Sequence, residues 1–219
     1  MGTSTRRTPV QRRSRERVER ALLAAERIVI EDGVDALSTR AVAAAADVPV
    51  ATLYQYFEDR DAIIRALIER QVEAMDERLT AAVLGIERYS VRTLVETTVG
   101  AYVAGYRDYP SFVVLWFQGR VNPEIVAYVR ARTYRIADDM RAFCVGAGIF
   151  DRDVDALPPR LAGEMIDAFL AVAYSRDLRG DRRVVSEGID MITGYLERYA
   201  TPQGVAGIPR DELAVGWRA

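Results

Sequence analysis

Apolar positions recur along this chain at helical spacing, and no stretch alternates apolar and polar residues over a strand's length. From Ser14 onward, Val18, Ala21, Leu22, Ala25, Ile28 and Val29 form one stripe, which Gly33 ends. A short second helix is expected after the capping residue Ser38, with Val42 and Ala43 facing inward. A third begins at Pro49, where a missing N–H costs nothing. Between them Asp47 occupies a tight turn whose left-handed backbone Asp tolerates at small strain. Asp59 caps a long helix with the stripe Ile63, Leu67, Met75, Leu79 and Val83 before Gly85. Further helices are predicted from about Ser90 to Tyr106, Pro110 to Gln118, Asn122 to Val145, 159–178 and 182–200, whereas Pro202 to Ala219 is expected to be loosely structured. The expected fold class is all-α, a three-helix N-terminal head followed by a larger helical body.

Charge sharpens this picture. The 219 residues carry a formal net charge of −2, but residues 1–20 hold seven Arg against Glu16 and Glu19, while the rest hold 23 Arg against 30 acids. A cationic arm over residues 1–13 on an acidic body suits a local grip on phosphate. The chain has no Lys and no His, which excludes a Cys-His dyad, a Ser-His-Asp triad and a His-based metal site. Glycine-rich phosphate loops are absent from the sequence as well. Asp151, Asp153 and Asp155 open like a calcium loop, but Ala156 stands where its glycine belongs and Ala162 where its bidentate Glu belongs. No catalytic residue, metal ligand or cofactor is therefore assigned, and a carboxylate-only catalyst at Glu164 and Asp167 is the remaining enzymatic alternative. The single Cys144, set among apolar neighbours, fits a reducing cytoplasm. Arg6-Arg7 lacks the apolar run that an export signal needs. The densest apolar run, Phe169 to Tyr174, falls far short of the ~18 residues of a membrane span.

Helix, tight turn and short helix over residues 37–57 are the layout of a DNA-reading helix-turn-helix. The outward residues of the third helix would be Val50, Ala51, Thr52, Tyr54 and Gln55, all uncharged, able to meet thymine methyls and one base edge through Gln55. Phosphate anchoring falls to Thr39, Arg40, the hydroxyls of Thr52, Tyr54 and Tyr56, and Arg60 at the head of the next helix. An architectural or protein-interaction helix-turn-helix is the alternative of another class.

Taken together, Gly33-Val34-Asp35-Ala36-Leu37-Ser38-Thr39-Arg40, Thr52-Leu53-Tyr54-Gln55-Tyr56-Phe57 and Asp59-Arg60-Asp61-Ala62 resemble the tetracycline-repressor (TetR) family of regulators. The match covers residues 15–65 and departs from the family pattern at Asp47, at Arg60 and in an alanine-rich second helix. The resemblance implies a DNA-binding domain over 14–60, a helical domain over 61–202 that binds a small-molecule effector and pairs the subunits, and a tail over 203–219. It also implies an inverted-repeat operator in double-stranded DNA and a repressor's role, while the lack of a bilayer-length apolar run leads to the expectation of no membrane partner.

The body's own residues bear on pairing and sensing. Between Leu161 and Tyr174 all but Gly163, Glu164 and Asp167 are apolar, more than one core can cover. Ile166, Phe169, Leu170 and Ala173, with Ile189, Ile192 and Leu196 on the following helix, are the candidate interface of a two-fold dimer. Such a dimer would hold two reading helices about 34–36 Å apart or farther. The middle helices are rich in rings, including Tyr109, Phe112 and Tyr128. Tyr102, Tyr106, Trp116, Phe117, Gln118, Tyr134 and Phe143 are the candidates for an effector pocket, and the sequence equally allows them to be ordinary core.

Overall fold

The computed structural model describes residues 9–119, 121–213 and 215–217, and side chains from residue 13 onward. The chain folds as two compact units, one built from the residues up to Gln71 with the 110–120 segment, the other from Val72–Tyr109 and the residues after 120. Among the described residues no helix is long and apolar enough to cross a membrane.

The first unit starts with α1 (Pro9–Glu31). Ala21, Leu22, Ala25 and Val29 are buried along the expected stripe. The helix begins five residues earlier than expected, so Pro9–Arg13 of the anticipated arm is helical; the rest of that arm, residues 1–8, lies outside the described residues. Gly33, at φ 83, makes the left-handed exit that side chains disfavour. A 3₁₀ turn at Val34–Ala36, which periodicity is too coarse to reveal, leads into α2 (Thr39–Ala45). α3 spans Val50–Leu53 and α4 Arg60–Leu84. Asp59 Oδ1 accepts from the Ala62 N–H at 2.8 Å, the cap expected for α4. α6 (Pro110–Val113) belongs to this unit and packs on α1. It continues as a π-helical turn over Val114–Gln118 where a uniform helix was expected.

The second unit holds the latter half of α4 with α5 (Val91–Asp108), α7 (Pro123–Gly146), α8 (Leu157–Ala173) and α9 (Arg182–Leu196). Ser90 and Thr93 close a capping box at α5, and Asn122 Oδ1 caps α7 at 2.8 Å. α8 and α9 approach closely because Gly188 faces the Phe169 ring, where a Cβ would fall 2.5 Å from ring carbons. Arg132 is 5% exposed; it donates through Nη2 to the Val72 carbonyl at 2.6 Å and pairs with Asp76. Burial, followed by the charge of Arg135, lowers its pKa to about 10.

The C-terminal segment differs from the loose tail expected. Thr201 caps α10 (Pro202–Ala206), and β2 (Ile208–Pro209) pairs antiparallel with β1 (Arg88–Tyr89). Gly204 lies where a Cβ would meet the Ile149 carbonyl oxygen, and Trp217 sets its edge on Phe143 at 5.7 Å. Two-residue strands carry too short a pattern to register as alternation.

Candidate nucleic-acid interface

The head owes its shape to a small set of caps and turns. Ser38 Oγ accepts from the Ala41 N–H at 3.1 Å and opens α2. α2 closes through Asp47, whose φ of 51 is the one left-handed value among the described non-glycine residues. The Val48 N–H reaches back to the Ala43 carbonyl at 3.0 Å, the six-to-one bond of a Schellman end. Arg27 Nη2 donates to the Ala45 carbonyl at 3.3 Å, placing a cation at the negative end of α2. Val42, Ala43, Val48, Leu53 and Phe57 are all buried, so the inner face assigned from sequence is the inner face observed.

What remains outside is the face expected from the sequence to read DNA. Val50, Ala51, Tyr54 and Gln55 are exposed, Tyr54 by 50%, while Thr52 and Tyr56 are half-buried. The helix proper is only four residues long, but i→i+3 and i→i+4 bonds carry the turn on: Gln55 N–H to Thr52 O at 3.2 Å and Phe57 N–H to Leu53 O at 2.9 Å. Thr39 Oγ1 and Tyr54 OH are 3.2 Å apart, which joins the first turn of α2 to the end of α3. The exposed Arg40 stands next to this pair in sequence. The arrangement is a neutral ridge with hydroxyls and a cation beside it, suited to apolar and hydrogen-bonded contact inside a groove and to phosphate contact at its rim.

Two residues are placed otherwise than the sequence suggested. Arg60 is half-buried and donates through Nη2 to the Val34 carbonyl at 2.8 Å, with its Nε also buried. It therefore clamps the 3₁₀ turn against the start of α4, where an outward phosphate anchor was expected. Tyr56 accepts hydrogen bonds from Ser14 and Arg17 of α1, and these donors hold its phenol below the usual tyrosine pKa. Sequence reasoning missed these contacts because Ser14 and Arg17, already read as part of the first helix, lie 42 and 39 positions before Tyr56, beyond the reach of local pattern.

The candidates for pairing and sensing are distributed as follows. Phe169, Leu170, Ala173, Ile192 and Leu196 are buried within the protomer, and Ile166 and Ile189 are half-buried. The outward apolar side chains are Leu157, Leu161 and Val172 on α8, with Val172 62% exposed, and Met191 on α9. A helix apolar around most of its girth does not disclose which side its own subunit covers. In the second unit Tyr106 stacks with Tyr102 at 6.4 Å and meets Tyr174 edge-on at 5.1 Å. Burial first, then the charge of Asp167, raises the Tyr106 pKa. Phe143 is a core ring against Tyr89 and Trp217. Tyr134 lies under the Arg160 guanidinium at 5.4 Å and hydrogen-bonds Glu164. Trp116 and Phe117 belong to the first unit and pack on Phe112, and Gln118 is exposed there. Among the described residues no three His, Cys, Asp or Glu side chains group as a metal site.

Comparison with known proteins adds independent findings. Residues 21–67 match the family model of bacterial regulatory proteins, tetR family. An uncharacterized HTH-type transcriptional regulator of Mycobacterium tuberculosis is 26% identical over 176 residues, 80% of this chain and 85% of that protein. A TetR-family transcriptional regulator from Streptomyces coelicolor superposes with a TM-score of 0.66 at 28% identity, covering 84% of this chain and 98% of its own. A TetR variant from Acinetobacter baumannii, solved in complex with minocycline, shares the fold at a TM-score of 0.55 and 17% identity, over 81% of this chain and 94% of its own.

Proposed function

We propose that the chain is a DNA-binding transcriptional regulator of the tetR family of bacterial regulatory proteins, whose family model its residues 21–67 match, and that it acts as a homodimeric repressor, released from an inverted-repeat operator by a small, largely apolar effector. The observation that carries this reading is the uncharged outward ridge of Val50, Ala51, Tyr54 and Gln55, held by a buried inner face and by the Thr39–Tyr54 contact. The ridge enters the major groove, Gln55 reads a base edge, Val50 and Ala51 meet methyl groups, and Thr39, Arg40, Thr52 and Tyr54 hold phosphates. Direct readout by so neutral a face is modest, and groove shape supplies the rest.

Pairing falls to the outward side of α8 and α9, where Leu161, Val172 and Met191 leave apolar area that a symmetry mate covers. The effector site is assigned to the second unit, around Tyr102, Tyr106 and Tyr174, whose rings and hydroxyls match a largely apolar ligand with one or two polar groups. The minocycline complex of the Acinetobacter baumannii protein supports a ligand-responsive reading. α4 belongs to both units, and ligand-dependent displacement of this helix changes the spacing of the two reading ridges. Coupling of about 1–3 kcal/mol alters operator affinity about five- to 150-fold. The protein acts on cytoplasmic DNA.

Genome-wide footprinting tests the proposal. A few strongly occupied sites sharing an inverted repeat are expected, with occupancy lost on adding the effector. Even occupancy without a shared repeat would instead indicate an architectural protein.

A further inference from the structure

A chain of contacts runs from the C-terminal segment to the far end of α4. Trp217 and Phe143 meet edge to face with ring centroids 5.7 Å apart, Phe143 and Tyr89 do so at 5.5 Å, and the Tyr89 hydroxyl donates to the Val83 carbonyl at 2.8 Å. Val83 and Tyr89 are both buried. The Val83 carbonyl is among the last four of α4, which lack an intrahelical partner, so Tyr89 and the Ile86 N–H, at 3.2 Å, close the helix end. Further bonds fasten the same region: β2 pairs with β1, the Arg210 N–H donates to the Glu87 carbonyl at 2.8 Å, and Arg88 Nη1 donates to the Gly207 carbonyl at 2.6 Å. At the start of α10, Thr201 donates through Oγ1 to the Gly148 carbonyl at 2.7 Å and through its N–H to the Ile149 carbonyl at 3.0 Å. The segment from Thr201 to Trp217 thus straps the turn after α4 to the turn after α7.

We propose that this strap fixes the far end of α4 and thereby sets the half-site spacing that the protein accepts in DNA, with Tyr89 and Trp217 as positioning residues. The inference rests on the homodimeric DNA-binding reading above. α4 has 25 residues and is about 37 Å long, so a tilt of about 5° about its far end moves the other end by about 3 Å. That displacement is close to the ~3.4 Å rise of one base pair. A held end restricts the tilt, and a loosened end lets the two heads meet half-sites that lie one base pair too close or too far. The strap touches no base, and its effect is on spacing alone.

The test measures the affinity of full-length protein for a duplex selected from a random pool, for the same duplex with its inverted repeat one base pair closer or farther, and for a single half-site. Parent protein should lose affinity at least about fivefold on either respaced duplex, as for a coupling of about 1 kcal/mol or more. Trp217→Ala, and Tyr89→Phe, which removes only the hydroxyl on Val83, should each bring that loss toward unity while leaving half-site affinity unchanged. Trp217→Phe keeps a ring against Phe143 and should retain the parent's discrimination. Hydrogen exchange in both loosened variants should quicken at residues 83–89 and stay as in the parent over α1 to α3. A merely destabilised fold would instead lower all affinities together, the half-site included. Spacing discrimination unchanged in Tyr89→Phe, which is the milder variant if Trp217→Ala does not fold, would overturn the proposal, as would a parent that binds all three spacings alike. Parent protein that binds no duplex would overturn the underlying DNA-binding reading and this inference with it.

Discussion

The Gln71 side-chain amide donates to Ser111 Oγ at 2.7 Å, linking two buried polar residues 40 positions apart. The same Nε2 also reaches Glu26 Oε1 at 2.7 Å, and Arg70 pairs with Glu26 at 2.8 Å. α1, α4 and the short α6 are thus joined by one hydrogen-bonded group inside the first unit, which explains why Pro110–Val113 belongs with the head. Ser111→Ala should cost about 1 kcal/mol, the net worth of a neutral hydrogen bond. Gln71→Ala should cost about 2–4 kcal/mol, because it also leaves a cavity and strips a partner from Glu26. Urea unfolding of both single variants and the double variant would reveal the coupling as non-additivity.

Arg60 gives a second expectation. Its guanidinium holds the Val34 carbonyl, so Arg60→Ala should destabilise the protein by about 1–3 kcal/mol. Arg60→Lys should recover little of this, since an ammonium lacks the fork that reaches the turn. Thermal denaturation measures both. A fully stable Arg60→Ala protein with reduced salt dependence of DNA binding would return the residue to the phosphate role.

Much of the head was legible because its determinants are local. Ser38, Asp47 and Asp59 each act within a few residues of themselves, so caps and turn could be assigned from neighbouring sequence, and the structure places each as expected. The inward residues Val42, Ala43, Val48, Leu53 and Phe57 followed from helical spacing alone. Arg60, Tyr56 and Gln71 were beyond such reading, because their partners Val34, Ser14 and Ser111 are 26, 42 and 40 positions away. The side of α8 left uncovered was illegible for a different reason: Phe169 and Val172 are equally apolar, and only packing against Gly188 shows that the first is enclosed.

Asp47 should respond to its backbone. At φ 51 a Cβ is strained, and Asp47→Gly removes that strain while adding unfolded-state entropy, for a net change within about 1 kcal/mol. Asp47→Val, branched at Cβ, should destabilise by more than about 1 kcal/mol. Chemical unfolding distinguishes the two.

The α8–α9 surface yields a test of pairing. Val172 and Met191 are exposed in the protomer, so Val172→Glu and Met191→Glu should leave thermal stability of the monomer little changed while shifting sedimentation from dimer to monomer. Operator affinity should fall with them, because two half-sites are no longer held together. Variants that remain dimeric would place the interface elsewhere.

The buried tyrosine group sets an alkaline limit. Tyr106 has its pKa raised in the folded state by burial and by Asp167, so its contribution to stability is complete below the unfolded tyrosine value of about 10 and is lost as pH climbs above it. Tyrosinate absorbance should therefore lag behind exposed phenols and rise with unfolding, and Tyr106→Phe should flatten the pH dependence of stability above about 10. An early, unfolding-independent titration of all the tyrosines would contradict this.

Selection of duplexes from a random pool, followed by affinity measurement with parent protein and with Val50→Glu and Gln55→Ala variants, bears most directly on the outward ridge of α3. The expected result is an enriched inverted repeat, binding abolished by Val50→Glu, and preference relaxed at one base position per half-site by Gln55→Ala. Enrichment of no common sequence, or a selected duplex bound equally well by all three proteins, would contradict the assignment of that ridge as the DNA-reading surface.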